Sequence, residues 1–149
     1  MNPRPAIVVC EDGDEYTTRF VRLLGQELQF ERASNHAESL RLLQAGALGI
    51  LLDLDFRRTP PTELVDETGS TNLAPSDGER RRLAEIQGIL ILRALRSTGI
   101  NAPAILFADL DDPRRGDYLT RTLAPLTILP SSESLPAIAK HIRVLAGMP

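Results

Sequence analysis

Five short apolar runs, each separated from the next by a stretch with helical spacing, constrain this chain more than any other feature. The runs are AIVVC (6–10), a half-polar QFERA (29–33), GILLDLDF (49–56), PAILFA (103–108) and LTILP (126–130). Unbroken runs of four to eight aliphatic and β-branched residues predict strands buried on both faces, and the weaker second run predicts an edge strand. Between them, Phe20, Leu23, Leu24 and Leu28 recur at helical spacing behind Asp14 and Glu15. Asn35 and Glu38 form a capping pair ahead of Leu40, Leu42 and Leu43, with Gly46 as the stop. Ile86, Ile89, Leu90, Leu92 and Leu95 predict a helix over 83–97 that ends at Gly99. Asp112-Pro113 and Ser134-Leu135-Pro136 open two more, to about 123 and 146. Strand and helix thus alternate five times, which predicts an α/β fold: a doubly wound five-stranded parallel sheet with helices on both faces.

The chain has 149 residues, 42% hydrophobic and 25% charged, so one domain with one core is expected over 1–149. No apolar run approaches the length of a membrane span and the first residues carry no secretory pattern, so a cytoplasmic protein is expected. Cys10 is the single cysteine, which excludes an intrachain disulfide and makes core packing its expected role. A net charge of −3, no Trp and 4% aromatics argue against nucleic-acid binding by counterion displacement or base stacking. Sixteen arginines accompany one lysine, Lys140. With the last helix ending near 146, no output domain is expected within these residues.

Residues 57–82 break the rhythm. Pro60, Pro61, Gly69, Pro75 and Gly78 stand among Thr, Ser, Asp and Glu, with Leu64, Val65 and Leu73 as the apolar members. A loop insertion over 59–82, mobile in isolation and dispensable for folding, is expected. Arg80-Arg81-Arg82 follows Ser76, Asp77 and Glu79, a pattern for a solvated helix start that also suits gripping phosphate or an acidic partner.

Carboxylates close three of the strands: Glu11 and Asp12, then Asp53 and Asp55, then Asp109, Asp111 and Asp112. In doubly wound sheets that edge carries the ligand crevice. Three carboxylates within about 4 Å repel by roughly 4 kcal/mol per pair at an effective dielectric near 20. With no lysine nearby in sequence to offset them, either a divalent cation binds or one carboxyl has a raised pKa.

Glu11-Asp12, Asp53 within Ile50-Leu-Leu-Asp53-Leu, the helix opening Gly88-Ile-Leu-Ile-Leu-Arg93, the strand Pro103-Ala-Ile-Leu-Phe and Pro130 together resemble the receiver domain of bacterial two-component response regulators. The resemblance covers the chain outside 59–82 and implies the flavodoxin-like (βα)5 fold. It implies Asp53 as phosphoacceptor, and Mg2+ held by Glu11, Asp12, Asp53 and the backbone carbonyl of Asp55. It implies a protein partner, a histidine kinase or an output protein, and permits a homodimer. The docking face would lie around 114–121 and 141–144, with no nucleic acid or membrane involved.

Two departures stand out. The hydroxyl that ends the fourth strand in the family is Ala108, and the lysine before the strand-five proline is Leu129. In-flight phosphoryl oxygens need neutralising partners, and two of three are aliphatic here. The chain therefore resembles an atypical or pseudo-receiver, a non-enzymatic signalling domain acting through protein–protein contact. The alternative is a working phosphoacceptor receiver. A further resemblance, to haloacid-dehalogenase-like phosphatases, rests on Asp53 and Asp55 two residues apart with Asp111-Asp112 as a metal pair. It is opposed by Arg57 where a hydroxyl residue belongs and by the motif following the third strand. His36 and His141 have no partners at metal spacing, and no nucleophile elbow occurs.

Overall fold

The computed structural model describes residues 3–149. Strands β1 (Ala6–Cys10), β2 (Gln29–Ala33), β3 (Ile50–Asp53), β4 (Ala104–Phe107) and β5 (Leu126–Leu129) form one sheet in the order β2-β1-β3-β4-β5. Every neighbouring pair is parallel. The chain starts at β1, steps outward to β2 and returns past β1 to β3, so the switch point falls between β1 and β3. That puts Glu11, Asp12 and Asp53 at the crevice.

The strand residues alternate between two apolar layers. Val8, Cys10, Ile50, Leu52, Ala104, Leu106 and Leu126 face one layer, shared with α2 (His36–Gln44), α4 (Gln87–Ser97) and α5 (Pro113–Thr122). Ile7, Val9, Leu51, Ile105, Phe107 and Leu129 face the other, shared with α1 (Glu15–Leu24) and α6 (Leu135–Leu145). Burial on both faces is why the runs show no polar alternation. Cys10 is fully buried, and burial pushes its thiol up to about 12, so it packs rather than reacts. No described helix is long and apolar enough to cross a membrane.

Two expectations are corrected. The helix over 83–97 is two helices, α3 (Asp77–Glu85) and α4, broken at Ile86. The cause is the loop after β3, which engages the helical backbone on both sides of the break. Phe56 N–H donates to the Ala84 carbonyl at 2.9 Å, and Gly88 N–H donates to the Leu54 carbonyl at 3.0 Å. A Cβ at Gly88 would stand 2.0 Å from the Asp53 carbonyl oxygen, so only glycine lets α4 approach β3.

The second concerns 59–82, expected as a loop, which holds a turn, a bridge and the start of a helix. Pro61–Glu63 is a 3-10 turn, Val65 bridges Thr71, and residues 77–82 belong to α3, capped by Ser76 accepting from Glu79 N–H. Leu64 and Val65 are buried in the main core, whereas Leu73 is 86% exposed. Buried Gln87 accepts from Val65 N–H at 2.9 Å and donates to the Val65 and Leu83 carbonyls at 3.0 and 3.1 Å. Asn35 Nδ2 donates to Glu63 Oε1 at 2.6 Å. The segment's own apolar area is small, but Gln87 satisfies its backbone from the core side. A simple linker cannot replace it without loss of core contacts.

Candidate functional site

Three acidic side chains stand at the crevice, two following β1 and one ending β3, and each has a different local partner. Glu11, at the end of β1, is 1% exposed. Its Oε1 accepts from Tyr16 N–H at 3.1 Å, and its Oε2 accepts from Thr17 N–H and Thr17 Oγ1, both at 2.7 Å. Glu11 therefore satisfies the first turn of α1. Asp14, placed for that role by the sequence, makes no side-chain cap bond.

Asp12 has a 5% exposed side chain and faces Arg58. Its Oδ2 accepts from Arg58 N–H at 2.9 Å and its Oδ1 from Arg58 Nη2 at 3.0 Å. The same guanidinium donates from Nη1 to Glu15 Oε1 at 2.7 Å and from Nη2 to Glu15 Oε2 at 3.1 Å. These bonds hold the Glu15 carboxyl down at about 2 and raise the arginine further above its ordinary value.

Asp53 ends β3 half-buried. Its Oδ1 accepts from Leu54 N–H at 2.8 Å, and its other oxygen accepts no bond from the described residues. Burial, more than the neighbouring Asp12, Glu11 and Asp55 charges, pushes its carboxyl up to about 6. The Asp53 carboxyl is raised chiefly by burial and not by crowding, and an arginine that sequence distance had hidden lies beside Asp12. Asp55 pairs with Arg57 at 2.6 Å.

Across the sheet, register aligns Asp53 with Phe107 and Phe107 with Leu129. Phe107 stacks on Tyr16 at 5.0 Å between centroids and packs against Phe20 at 5.6 Å. Leu129 is buried in the same layer. Burial raises the Tyr16 phenol to about 12, with the Asp53 charge adding to it. The row beside Asp53 is therefore aromatic and aliphatic, without a cation. Ala108, also buried, donates its N–H to the Leu129 carbonyl at 2.9 Å. One step outward, Asp109 Oδ1 accepts from Ser131 N–H at 3.0 Å and its Oδ2 accepts from the Ser131 hydroxyl, which lowers the Asp109 pKa.

The remaining sequence candidates lie apart. Asp112 caps α5 by accepting from Arg114 N–H at 3.0 Å, and no group of three described metal-ligating side chains forms. The acidic centre of the haloacid-dehalogenase reading is therefore not assembled. Arg80 and Arg81 line a cleft of about 480 Å³ with Arg57, Asp77 and Glu85, while Arg82 pairs with Glu67. His36, on α2, is half-buried, and burial lowers its pKa. The residues sequence reading missed are Arg58, Glu15 and Gly13. The one local signal was an Arg57-Arg58 pair directly after an acidic strand end.

The Mg2+ implied by the receiver resemblance needs open carboxylate oxygens. Glu11 accepts with both from α1 and Asp12 with both from Arg58, leaving one Asp53 oxygen and the Asp55 carbonyl without a donor among the described residues. In this arrangement the donor set fits the ion only if the Arg58 guanidinium gives up Asp12.

No family model matches the sequence, and no curated protein matches it. Solved structures do match. The receiver domain of the Francisella response regulator 1452 aligns with TM-score 0.66 at 16% identity, covering 97% of this chain and 98% of that one. A response regulator receiver protein from Pseudoalteromonas atlantica gives TM-score 0.66 at 12% identity, covering 96% and 98%. The signal receiver domain of a signal transduction histidine kinase from Syntrophus aciditrophicus gives 0.61 at 20% identity, covering 96% and 90%. The likeness is one of architecture: this chain has the five-stranded α/β fold of receiver domains.

Proposed function

We propose that this chain is a pseudo-receiver: a signalling domain that works through protein–protein contact and whose phosphorylation site is degenerate. The observation that carries the reading is the row Asp53–Phe107–Leu129, where a cation would have to reach a phosphoryl oxygen and an aliphatic side chain stands instead. Charge developing on equatorial oxygens gains nothing from leucine or alanine. The Asp109–Ser131 bonds tie the loops after β4 and β5 together without a phosphoryl group to recruit them. The docking face runs over α5 and α6, where Tyr118 and Val144 are 52% and 68% exposed among charged neighbours. Its partner is a protein such as a histidine kinase or an output protein, and a second copy of the chain suits the same face.

The test is incubation with acetyl phosphate and Mg2+, followed by intact mass and tryptic mapping. No phosphoryl adduct on Asp53 is expected, and Asp53→Asn should keep partner binding. The second reading, a working phosphoacceptor, is favoured by one feature, the unengaged Asp53 oxygen at the sheet edge. An adduct on Asp53 would establish it.

A further inference from the structure

We propose that Arg58 is a built-in cation that takes the place of a divalent metal in the acidic crevice and withholds Asp12 from it. The inference rests on the pseudo-receiver reading and specifies how its metal half is shut off.

Three observations converge on Arg58. Asp12 is a nearly buried carboxylate, and both its oxygens are engaged by this one residue, through backbone N–H at 2.9 Å and guanidinium at 3.0 Å. A buried carboxylate needs such a partner, and a metal ion would have to displace it. The guanidinium is held from its other side by both oxygens of Glu15, so it is fixed as a bridge between β1 and α1.

The backbone is arranged to deliver it. Phe56 is fully buried and anchors the turn after β3, and Thr59 N–H closes that turn onto the Phe56 carbonyl at 3.2 Å. This aims Arg58 N–H at Asp12.

Gly13 supplies the space. A Cβ there would stand 2.4 Å from Arg58 Nη2 and 2.2 Å from Glu15 Oε2, yet Gly13 has an ordinary backbone conformation. A side chain there would push on the flexible ends of the ion bridge. Arg32 holds the Gly13 carbonyl through Nε, which fixes the loop in that position.

Removing the guanidinium frees Asp12 Oδ1 beside Asp53, while Oδ2 keeps the backbone N–H of residue 58. Mg2+ and Mn2+ need only one or two carboxylates plus water. Glu11 stays committed to α1 in either case.

The experiment titrates the full chain with Mn2+ alone, following loss of the free-ion electron paramagnetic resonance signal, with thermal shift in parallel. Wild type is expected to bind no more tightly than at about millimolar concentration, and Arg58→Gln to bind about tenfold tighter or better. Arg58→Gln/Asp12→Asn should lose the gain, and Arg41→Gln, exposed on α2, should behave as wild type, which separates a site from a general change in charge. Gly13→Ala crowds the bridge while keeping every charge, so a smaller gain is expected there. It also carries the test if Arg58→Gln does not fold. Wild type binding Mn2+ as tightly as Arg58→Gln, or a gain that survives Asp12→Asn, overturns the proposal and leaves the pseudo-receiver reading standing. An Asp53 phosphoryl adduct in wild type overturns that reading instead, and is scored separately by mass.

Discussion

The crevice has two halves built on opposite plans. On the β1–β3 side, Glu11, Asp12 and Asp53 keep their carboxylates, and local donors engage five of the six oxygens: the α1 backbone and Thr17, Arg58, and Leu54 N–H. On the β4–β5 side, Phe107, Ala108 and Leu129 are buried and apolar, and polar contact resumes only one step outward at Asp109 and Ser131. The comparison teaches that retaining charged residues does not retain an open site. An acidic group can be consumed by the protein's own donors as fully as it can be lost by substitution.

The largest expected effect tests whether the acidic half depends on α4 pressing against β3. Gly88→Ala would force a Cβ onto the Asp53 carbonyl, a backbone atom with no freedom to retreat. A loss of about 3 kcal/mol is expected in urea unfolding. A neutral result would mean that the helix can slide and the crevice is less fixed than its contacts imply.

The apolar half can be converted. Leu129→Lys with Ala108→Ser supplies a cation and a hydroxyl, and adding Arg58→Gln frees Asp12 Oδ1. Acetyl phosphate labelling of Asp53 by the triple variant should exceed wild type by about 10²-fold, the scale of one or two preorganised charge-stabilising donors. Labelling unchanged in the triple variant would break the comparison, because the two halves would then not account for the lost chemistry.

A smaller effect follows from Asp53. Its folded pKa of about 6 stands above its ordinary 3.8. The native state therefore holds the proton more tightly than the unfolded chain between those values. Stability from this group is whole below pH 3.8 and is lost as pH rises through 6. Asp53→Asn cannot ionise, so it should exceed wild type by about 1–2 kcal/mol at neutral pH, allowing for solvent screening of a half-exposed group, and match it near pH 4.

The smallest effect belongs to the outer tie. Ser131→Ala removes the hydroxyl that lowers the Asp109 pKa. A lowered carboxylate pKa stabilises the fold above its unfolded value and loses that contribution as pH falls. The expected cost at neutral pH is a melting shift under about 2 °C, because the pair is exposed, and it should vanish in acid.

Much of this was legible before any coordinates. Four strands match their apolar runs to within one residue and β3 fills the first half of its run, the weak 29–33 run is an edge strand, and Asn35 caps α2 by accepting from Glu38 N–H. These features are local, written in period, capping chemistry and run length. The segment 59–82 misled because its order does not come from its own composition: Gln87, more than twenty residues on from Val65, satisfies the Val65 backbone.

The sequence by itself determined the layered α/β architecture, the edge at which the carboxylates gather, and the apolar Ala108 and Leu129 at the ends of β4 and β5. Periodicity and residue identity are properties of neighbouring positions, and they survive reading in one dimension. Only the tertiary structure decided which oxygens remain open. Arg58 meets Asp12 across forty-six positions, and Glu11 caps the first turn of α1. Charge pairing depends on distance through space, and a buried carboxylate takes whichever donor the fold brings within about 3 Å.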